Sequence, residues 1–408
     1  MPNFISLMGV NHFTSSAVDE IQSEISKING NLLLPTVSLC HHCHSHVPAW
    51  RYHKDGKVYI AKHCRLHGIS HHMIESDYEF YSGIYYTQDN PRYNFNGGVL
   101  IEVTDRCNLT CPHCYHEPDN SLTDQSIDTI LDQIKKWPLG IDAIERVILS
   151  GAEPTLRKDF TELIKEIKNL NPNITVTVMT NGICFSDIEY LRKAKESGLS
   201  SINIGLNHPS YNDHAVIRRK QLAAINNAHL EGMSISYISY TMMSLDEVDF
   251  IMNEICSNEW RSKNFRIRYG SDIGRNPGQE RKFVSDIYKS IEQWCKLNNK
   301  SFERIVQADN NIYHVMACVD GKDIRIIQWC DETDIDMEEL RSGPWCDFVP
   351  DGITNFLHQI IRRDVWKNQG LLLPDSPPDR YKFNLRPHDT PLDLLNLSWS
   401  SNNHEPLI

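Results

Sequence analysis

Cys107, Cys111 and Cys114 place three of the chain's twelve cysteines within eight positions. Thiolates suit iron–sulfur clusters, and a loop of this size bends to touch three corners of one [4Fe-4S] cube. Three ligands leave the fourth iron without a protein ligand, open to bind and reduce another molecule. The same spacing also fits three buried thiols, or a zinc site completed by a distant fourth ligand. A second set lies upstream, where Cys40 and Cys43 form C-x2-C and Cys64 and His67 form C-x2-H. Two such knuckles flanking a hairpin make a tetrahedral site of the zinc-ribbon or rubredoxin type. One Zn ion there would be structural, whereas Fe would carry one electron. Nine of the nineteen histidines fall between His41 and His72. His41, His42, His44, His46 and His63 are therefore spare ligands, any of which could replace His67. The metal-free alternative is a histidine-rich solvated loop.

The elements that must position these residues follow from periodicity. "SAVDEIQSEISKI" reads as a helix in a polar lead over 1–33, and "RYHKDGKVYIAK" as a hairpin turning at Asp55-Gly56 within a metal-binding ribbon over 34–92. From 93 to 275 strand and helix patterns alternate, which predicts parallel βα units. "GGVLIEVTDRC" is a buried strand that runs into the three-cysteine loop. "TDQSIDTILDQIKKW" is a helix with Thr123 at its N-cap and Ile127, Ile130, Leu131, Ile134 and Trp137 at helical spacing. Five more strands follow, in "RVILSGAEP", "ITVTVMTNG", "SSINIGLNH", "SISYISYTMM" and "NFRIRYGSD". The fold class is α/β: a partial (β/α)6 TIM-like barrel behind a small zinc-ribbon or rubredoxin-like domain. In such barrels functional groups collect at the C-terminal ends of the strands. Residues 276–408 form a C-terminal α+β extension, with one helix, a hairpin around Asp320-Gly321 and a Pro-rich tail.

Strand alternation assigns faces. Asn203 and Asn207 share a face opposite Ile202, Ile204 and Leu206, so they point into the barrel. Arg266 and Arg268 share a face opposite Phe265, Ile267 and Tyr269, and an inward Arg suits a carboxylate of a cofactor or a substrate. The alternative for the arginines is a cross-strand salt bridge or an outward orientation. Thr180 and Asn181 end the third barrel strand and could line the same cavity.

Composition bounds the rest. With 408 residues the chain has ample material for a core and for two or three domains. A formal net charge of −12 disfavours extended nucleic-acid binding. The N-terminus has no basic run followed by an apolar one, and no stretch offers the roughly 18 apolar residues of a transmembrane segment. These features read as a soluble cytoplasmic protein, a compartment in which cysteines serve as metal ligands or buried thiols.

The cysteine loop after an apolar strand, with the aromatic His113 before the last cysteine and "SGAEPTL" ending the next strand, resembles the radical SAM superfamily. The resemblance covers about residues 96–275. It implies that Cys107, Cys111 and Cys114 hold a [4Fe-4S] cluster whose open iron chelates S-adenosylmethionine. His113 would pack against the adenine. Gly151, Ala152 and Glu153 match the family's Gly-Gly-Glu element, which holds the cofactor's amino group; here Ala replaces the middle Gly. Asn203 or Asn207 would contact the ribose, and Arg268 a carboxylate. The knuckle module, through "CRLHG" and "DGKVYIAKHC", resembles the group of tetraether lipid synthases and archaeal pterin methyltransferases. By that resemblance the chain is an enzyme that forms a 5′-deoxyadenosyl radical and modifies carbon by methylation, C–C or C–S coupling, or rearrangement. Its partners would be flavodoxin or ferredoxin and a small-molecule or lipid-like substrate, with a peptide as the alternative. A non-catalytic zinc-binding adaptor is the reading from outside enzymes. Cys184, Cys256 and Cys295 read as buried free thiols, and Cys318, Cys330 and Cys346 as either the same or a loose auxiliary site.

Overall fold

A computed structural model describes residues 15–40, 46–85, 98–114, 118–135, 141–208, 210, 215–257, 262–270, 282–306 and 315–327. The first unit is a helix, α1 (Ser15–Lys27), on a four-stranded antiparallel sheet of β1 (Asn31–Leu39), β2 (His46–Lys54), β3 (Lys57–Cys64) and β4 (Gly68–Glu75). Asp55 and Gly56, with φ of 51° and 72°, make the two-residue turn between β2 and β3 that their sequence predicts. Ile21 and Ile25 of α1 bury against Tyr52 and Ala61, which covers one face of this sheet.

The second unit is a nine-stranded sheet. Six parallel strands run in order: β5 (Gly98–Thr104), β6 (Arg146–Gly151), β7 (Thr175–Thr180), β8 (Leu199–Asn207), β9 (Ser234–Met242) and β10 (Asn264–Tyr269). Past β10, the C-terminal hairpin continues the same sheet. β13 (Lys322–Ile327) pairs parallel with β10, then antiparallel with β12 (Val315–Val319), which pairs with β11 (Phe302–Val306). Asp320 and Gly321 form its turn, with φ of 47° and 74°.

Amphipathic helices cover one face of this sheet. After α2 (Tyr78–Tyr85) come α3 (Ile127–Lys135), α4 (Phe160–Leu170), α5 (Ile188–Glu196), α6 (Ala215–Leu230), α7 (Val248–Cys256) and α8 (Val284–Leu297). Ile202, Ile204, Leu206, Ile238, Tyr240, Phe265 and Ile267 pack into the core beneath them. Alternation therefore turns Asn203, Arg266 and Arg268 to the opposite face, as their sequence predicts.

One helix start differs from expectation. α3 begins at Ile127, and Ser126, not Thr123, caps it by accepting the Thr129 amide at 3.1 Å. The cause is Asp124, whose carboxylate is held by Arg106 and by the Thr104 hydroxyl, so residues just before Ser126 stay in a loop drawn toward the cysteines. Trp137 lies outside the described residues.

The two units are clasped through α8. Glu75 at the end of β4 is buried and accepts the Ser285 hydroxyl at 2.5 Å and its amide at 3.4 Å. Asp77 accepts the Phe80 amide at 3.0 Å, capping α2, and pairs with Lys289 at 2.5 Å. Phe80 and Tyr288 add a ring contact at 5.2 Å. Burial alone would raise the Asp77 pKa, but Lys289 and the capped amide more than offset it and hold it below the ordinary carboxylate value. A depressed folded-state pKa contributes stability above the unfolded value of about 3.9, lost as pH falls through the folded one. Asp77→Asn keeps a capping oxygen and loses only the partly screened Lys289 pair, so it should cost about 0.5 kcal/mol at pH 7. In urea titrations, its difference from wild type should shrink as pH falls through the lowered folded-state pKa of Asp77.

Candidate active site and metal centre

β5 runs straight into the cysteine loop, so the strand end sets where Cys107 begins. Its amide donates to Asn120 Oδ1 at 3.0 Å, and its sulfur accepts the Leu109 amide at 3.4 Å. The Cys114 amide closes a turn onto the Cys111 carbonyl at 3.2 Å, and Asp119 returns to the Asp105 carbonyl at 2.9 Å. All three cysteines are half-buried and His113 is buried. Burial pushes the Cys107 thiol up to about 12; the Glu153 carboxylate and the neighbouring cysteines add to this and the Leu109 amide opposes it. A thiolate here needs a compensating cation.

Glu153 lies beneath this loop. Its residue is fully buried, and its carboxylate receives four protein hydrogen bonds. Oε1 accepts the Thr155 hydroxyl at 2.5 Å, the Thr180 hydroxyl at 2.7 Å and the Thr155 amide at 3.2 Å. Oε2 accepts the Asn181 amide at 2.6 Å. The Glu153 amide in turn donates to the Arg106 carbonyl at 2.9 Å, next to Cys107. Burial raises its pKa, and these donors pull it back. Gly151 has φ of 122°, and a Cβ there would lie 2.3 Å from the Thr104 carbonyl oxygen, which accepts the Ala152 amide at 2.9 Å. The Gly-Ala-Glu element thus needs glycine at its first position.

Asn181 reaches back to the loop, donating to Asn108 Oδ1 at 2.8 Å with Nδ2 4.0 Å from the Cys107 sulfur. Thr180 is committed to Glu153, and its hydroxyl also accepts the Gly182 amide at 3.0 Å. On β8, Asn203 keeps a buried Oδ1 with no hydrogen-bond partner, while the side chain of Asn207 lies outside the described residues. Arg268 Nε donates to Thr241 at 2.6 Å, and Arg266 stacks over Tyr237 at 4.5 Å.

Two positioning residues escape sequence reasoning. Arg157, its side chain fully buried, donates to the Val103 and Gln125 carbonyls and pairs with Asp159. Gln221 of α6 donates to the Asn181 and Gly205 carbonyls at 3.2 and 3.1 Å. Neither belongs to a motif, because the carbonyls they hold, Val103 and Gln125 for Arg157 and Asn181 and Gly205 for Gln221, lie far away in sequence.

In the ribbon, His67 Nδ1 lies 3.5 Å from the Cys40 sulfur and 3.3 Å from the Cys64 sulfur. Tetrahedral zinc, with bonds of about 2.3 Å to sulfur and 2.0 Å to nitrogen, separates such ligand atoms by roughly 3.5 Å, so this donor set fits one ion. Cys43 lies outside the described residues, as do His41, His42 and His44. His63 instead meets Glu20 at 3.0 Å. Among the described residues, Cys40, Cys64 and His67 are the set whose ligand atoms all fall within 4.8 Å of one another. Cys107, Cys111 and Cys114 do not form such a set among the described residues. Cys184, Cys256, Cys295 and Cys318 are free thiols; Cys330 and Cys346 lie outside the described residues.

Comparison with known proteins agrees with this division. Residues 101–252 match the radical SAM superfamily, and residues 32–76 match the HMPTM N-terminal zinc ribbon domain. The chain is 31% identical to the 7,8-dihydro-6-hydroxymethylpterin dimethyltransferase of Methanocaldococcus jannaschii, over 48% of this chain and 43% of that protein. It is 34% identical to a probable GTP 3′,8-cyclase of Methanococcus aeolicus, over 26% of this chain and 36% of the relative. The chain thus spans less than half the length of these two relatives. Among solved structures it is similar to Streptococcus suis SuiB bound to precursor peptide SuiA, at 18% identity and a TM-score of 0.38, covering 50% of this chain and 47% of the other.

Cys64→Ser should reduce bound metal from about one ion per ribbon to near none by elemental analysis and lower the melting temperature, because a structural metal contributes folding energy. Gly151→Ala should cost about 2 kcal/mol in urea unfolding of the metal-free barrel, since the Thr104 carbonyl must move.

Proposed function

Because residues 101–252 are a radical SAM domain and residues 32–76 a zinc ribbon, we propose that the chain is an enzyme modifying carbon in a small organic molecule. Cys107, Cys111 and Cys114 would hold a [4Fe-4S] cluster that binds S-adenosylmethionine at its open iron. When bound, the pair supplies one-electron cleavage of the sulfonium to a 5′-deoxyadenosyl radical, which takes hydrogen from unactivated carbon.

The chain's own residues orient and exclude. The observation that carries the reading is the fully buried Glu153 carboxylate beneath the cysteine loop, which locks the ends of β6 and β7 to the main chain beside Cys107. Asn181 and Asn120 then fix the loop from two sides. The apolar layer under the helices closes one side of the sheet to water, leaving the polar face for cofactor and substrate. Asn203, with its unpartnered oxygen, is the ribose contact we favour, and Arg268 a carboxylate contact.

Methyl transfer or carbon–carbon coupling is the favoured reaction, supported by the ribbon match and by the relative that methylates a pterin. The ribbon ion is structural in this reading, since Cys40, Cys43, Cys64 and His67 would fill its coordination. A flavodoxin or ferredoxin would deliver the electron.

Anaerobic reconstitution should yield about four iron and four sulfide per chain. Dithionite and S-adenosylmethionine should then give 5′-deoxyadenosine, and Cys111→Ala should abolish it. Zinc as the only metal, with no acid-labile sulfide and no product, would overturn the enzyme reading in favour of an adaptor.

A further inference from the structure

Three guanidinium groups lie along β10 and β13 on the sheet face opposite the helices. Arg266 and Arg325 are direct partners in the parallel register of these strands. Both stack on Tyr237 of β9, with guanidinium carbons 4.5 and 4.8 Å from its ring centroid. Arg268 sits one step further toward the strand ends, oriented by Thr241. The buried Nε of Arg325 has no hydrogen-bond partner, and no ion pair to Arg325 exists among the described residues. Asp323 shares its face one step nearer the strand start. Asn203, the register partner of Tyr237 on β8, is a second polar group with a buried unpartnered atom on this face.

Like charges on adjacent strands repel, and a ring quadrupole offsets this only in part. The Arg325 fork, which has no ion pair among the described residues, gains most from an oxyanion that it can hold beside Arg266. Positive charge gathered in this way is also unexpected in a chain of net charge −12. Arg325 comes from the C-terminal hairpin, beyond the 101–252 segment, so the tail of the chain completes this face.

We propose that Arg266, Arg325 and Tyr237 form a subsite for a phosphate or carboxylate carried by the substrate. Naming the ligand a substrate rests on the enzyme reading above; the anion site itself does not. The same chemistry would fit the carboxylate of S-adenosylmethionine, and the test separates the two sources.

Calorimetric titration of the reconstituted chain with pyrophosphate and with malonate should show binding of at least one. Arg325→Gln should weaken it tenfold or more, while affinity for S-adenosylmethionine and the melting temperature stay unchanged. Tyr237→Phe, which keeps the ring, should retain binding. If Arg325→Gln lowers the melting temperature, Arg325→Lys takes its place, keeping charge without the fork, with a loss of at least threefold expected. Absence of binding to wild type, wild-type binding by the Arg325 variant, or a selective loss of S-adenosylmethionine affinity each overturns the proposal. Anion binding without 5′-deoxyadenosine formation would instead overturn the enzyme reading and leave the subsite standing.

Discussion

A carboxylate with no access to water organises this molecule. Removing Glu153 from solvent is costly unless its lone pairs are satisfied, and an unsatisfied buried charge would cost several kcal/mol. Its four donors come from its own turn and from the end of β7, while its amide reaches the chain leading into the cysteine loop. Three segments far apart in sequence are therefore locked at one point. A chain of hydrogen bonds of this kind is stiff because each member loses its partner if any other moves. Cys107 inherits its position from that stiffness, and Asn181 extends it to Asn108 on the loop.

Around this point the sheet separates two chemistries. Under the helices lie aliphatic and aromatic side chains in one continuous core, and on the other face lie asparagine, threonine, tyrosine and arginine. The division follows from the two-residue period of a strand, which sends neighbouring side chains to opposite faces. Burying one face supplies the driving force for folding and leaves the other face free to carry polar groups. The C-terminal hairpin obeys the same rule, burying Ile324 and Ile326 while presenting Arg325.

The ribbon is built on a different economy. Its core clusters are small, formed by residues such as Val58, Ile60, Tyr52 and Ala61, and a unit of this size gains from a metal staple. Cys40 and Cys64 are buried with Val47, which shields the sulfurs while His67 stays exposed. α8 joins the ribbon to the barrel through Glu75, Asp77 and Phe80, so the hairpin that follows α8 and the ribbon that precedes the barrel share one support.

Local pattern alone determined much of this. Cysteine and histidine spacing marked the ribbon donors Cys40, Cys64 and His67, Asp-Gly pairs marked both hairpin turns, and alternation in "INIGLN" and "FRIRYG" marked which side chains face away from the helices. Each is a short-range property, fixed by neighbours within a few residues, and so it is legible in the chain. The capping residue of α3 was not legible, because Thr123 looks as good a cap as Ser126 until Arg106 captures Asp124. Nor were the roles of Arg157 and Gln221, whose acceptors are carbonyls that every residue possesses. The placing of Arg325 beside Arg266 needed the register between β10 and β13, two strands separated by a whole helix and hairpin. Sequence determined which groups could do chemistry; which of them meet was decided by long-range strand pairing and by the need to satisfy buried polar atoms.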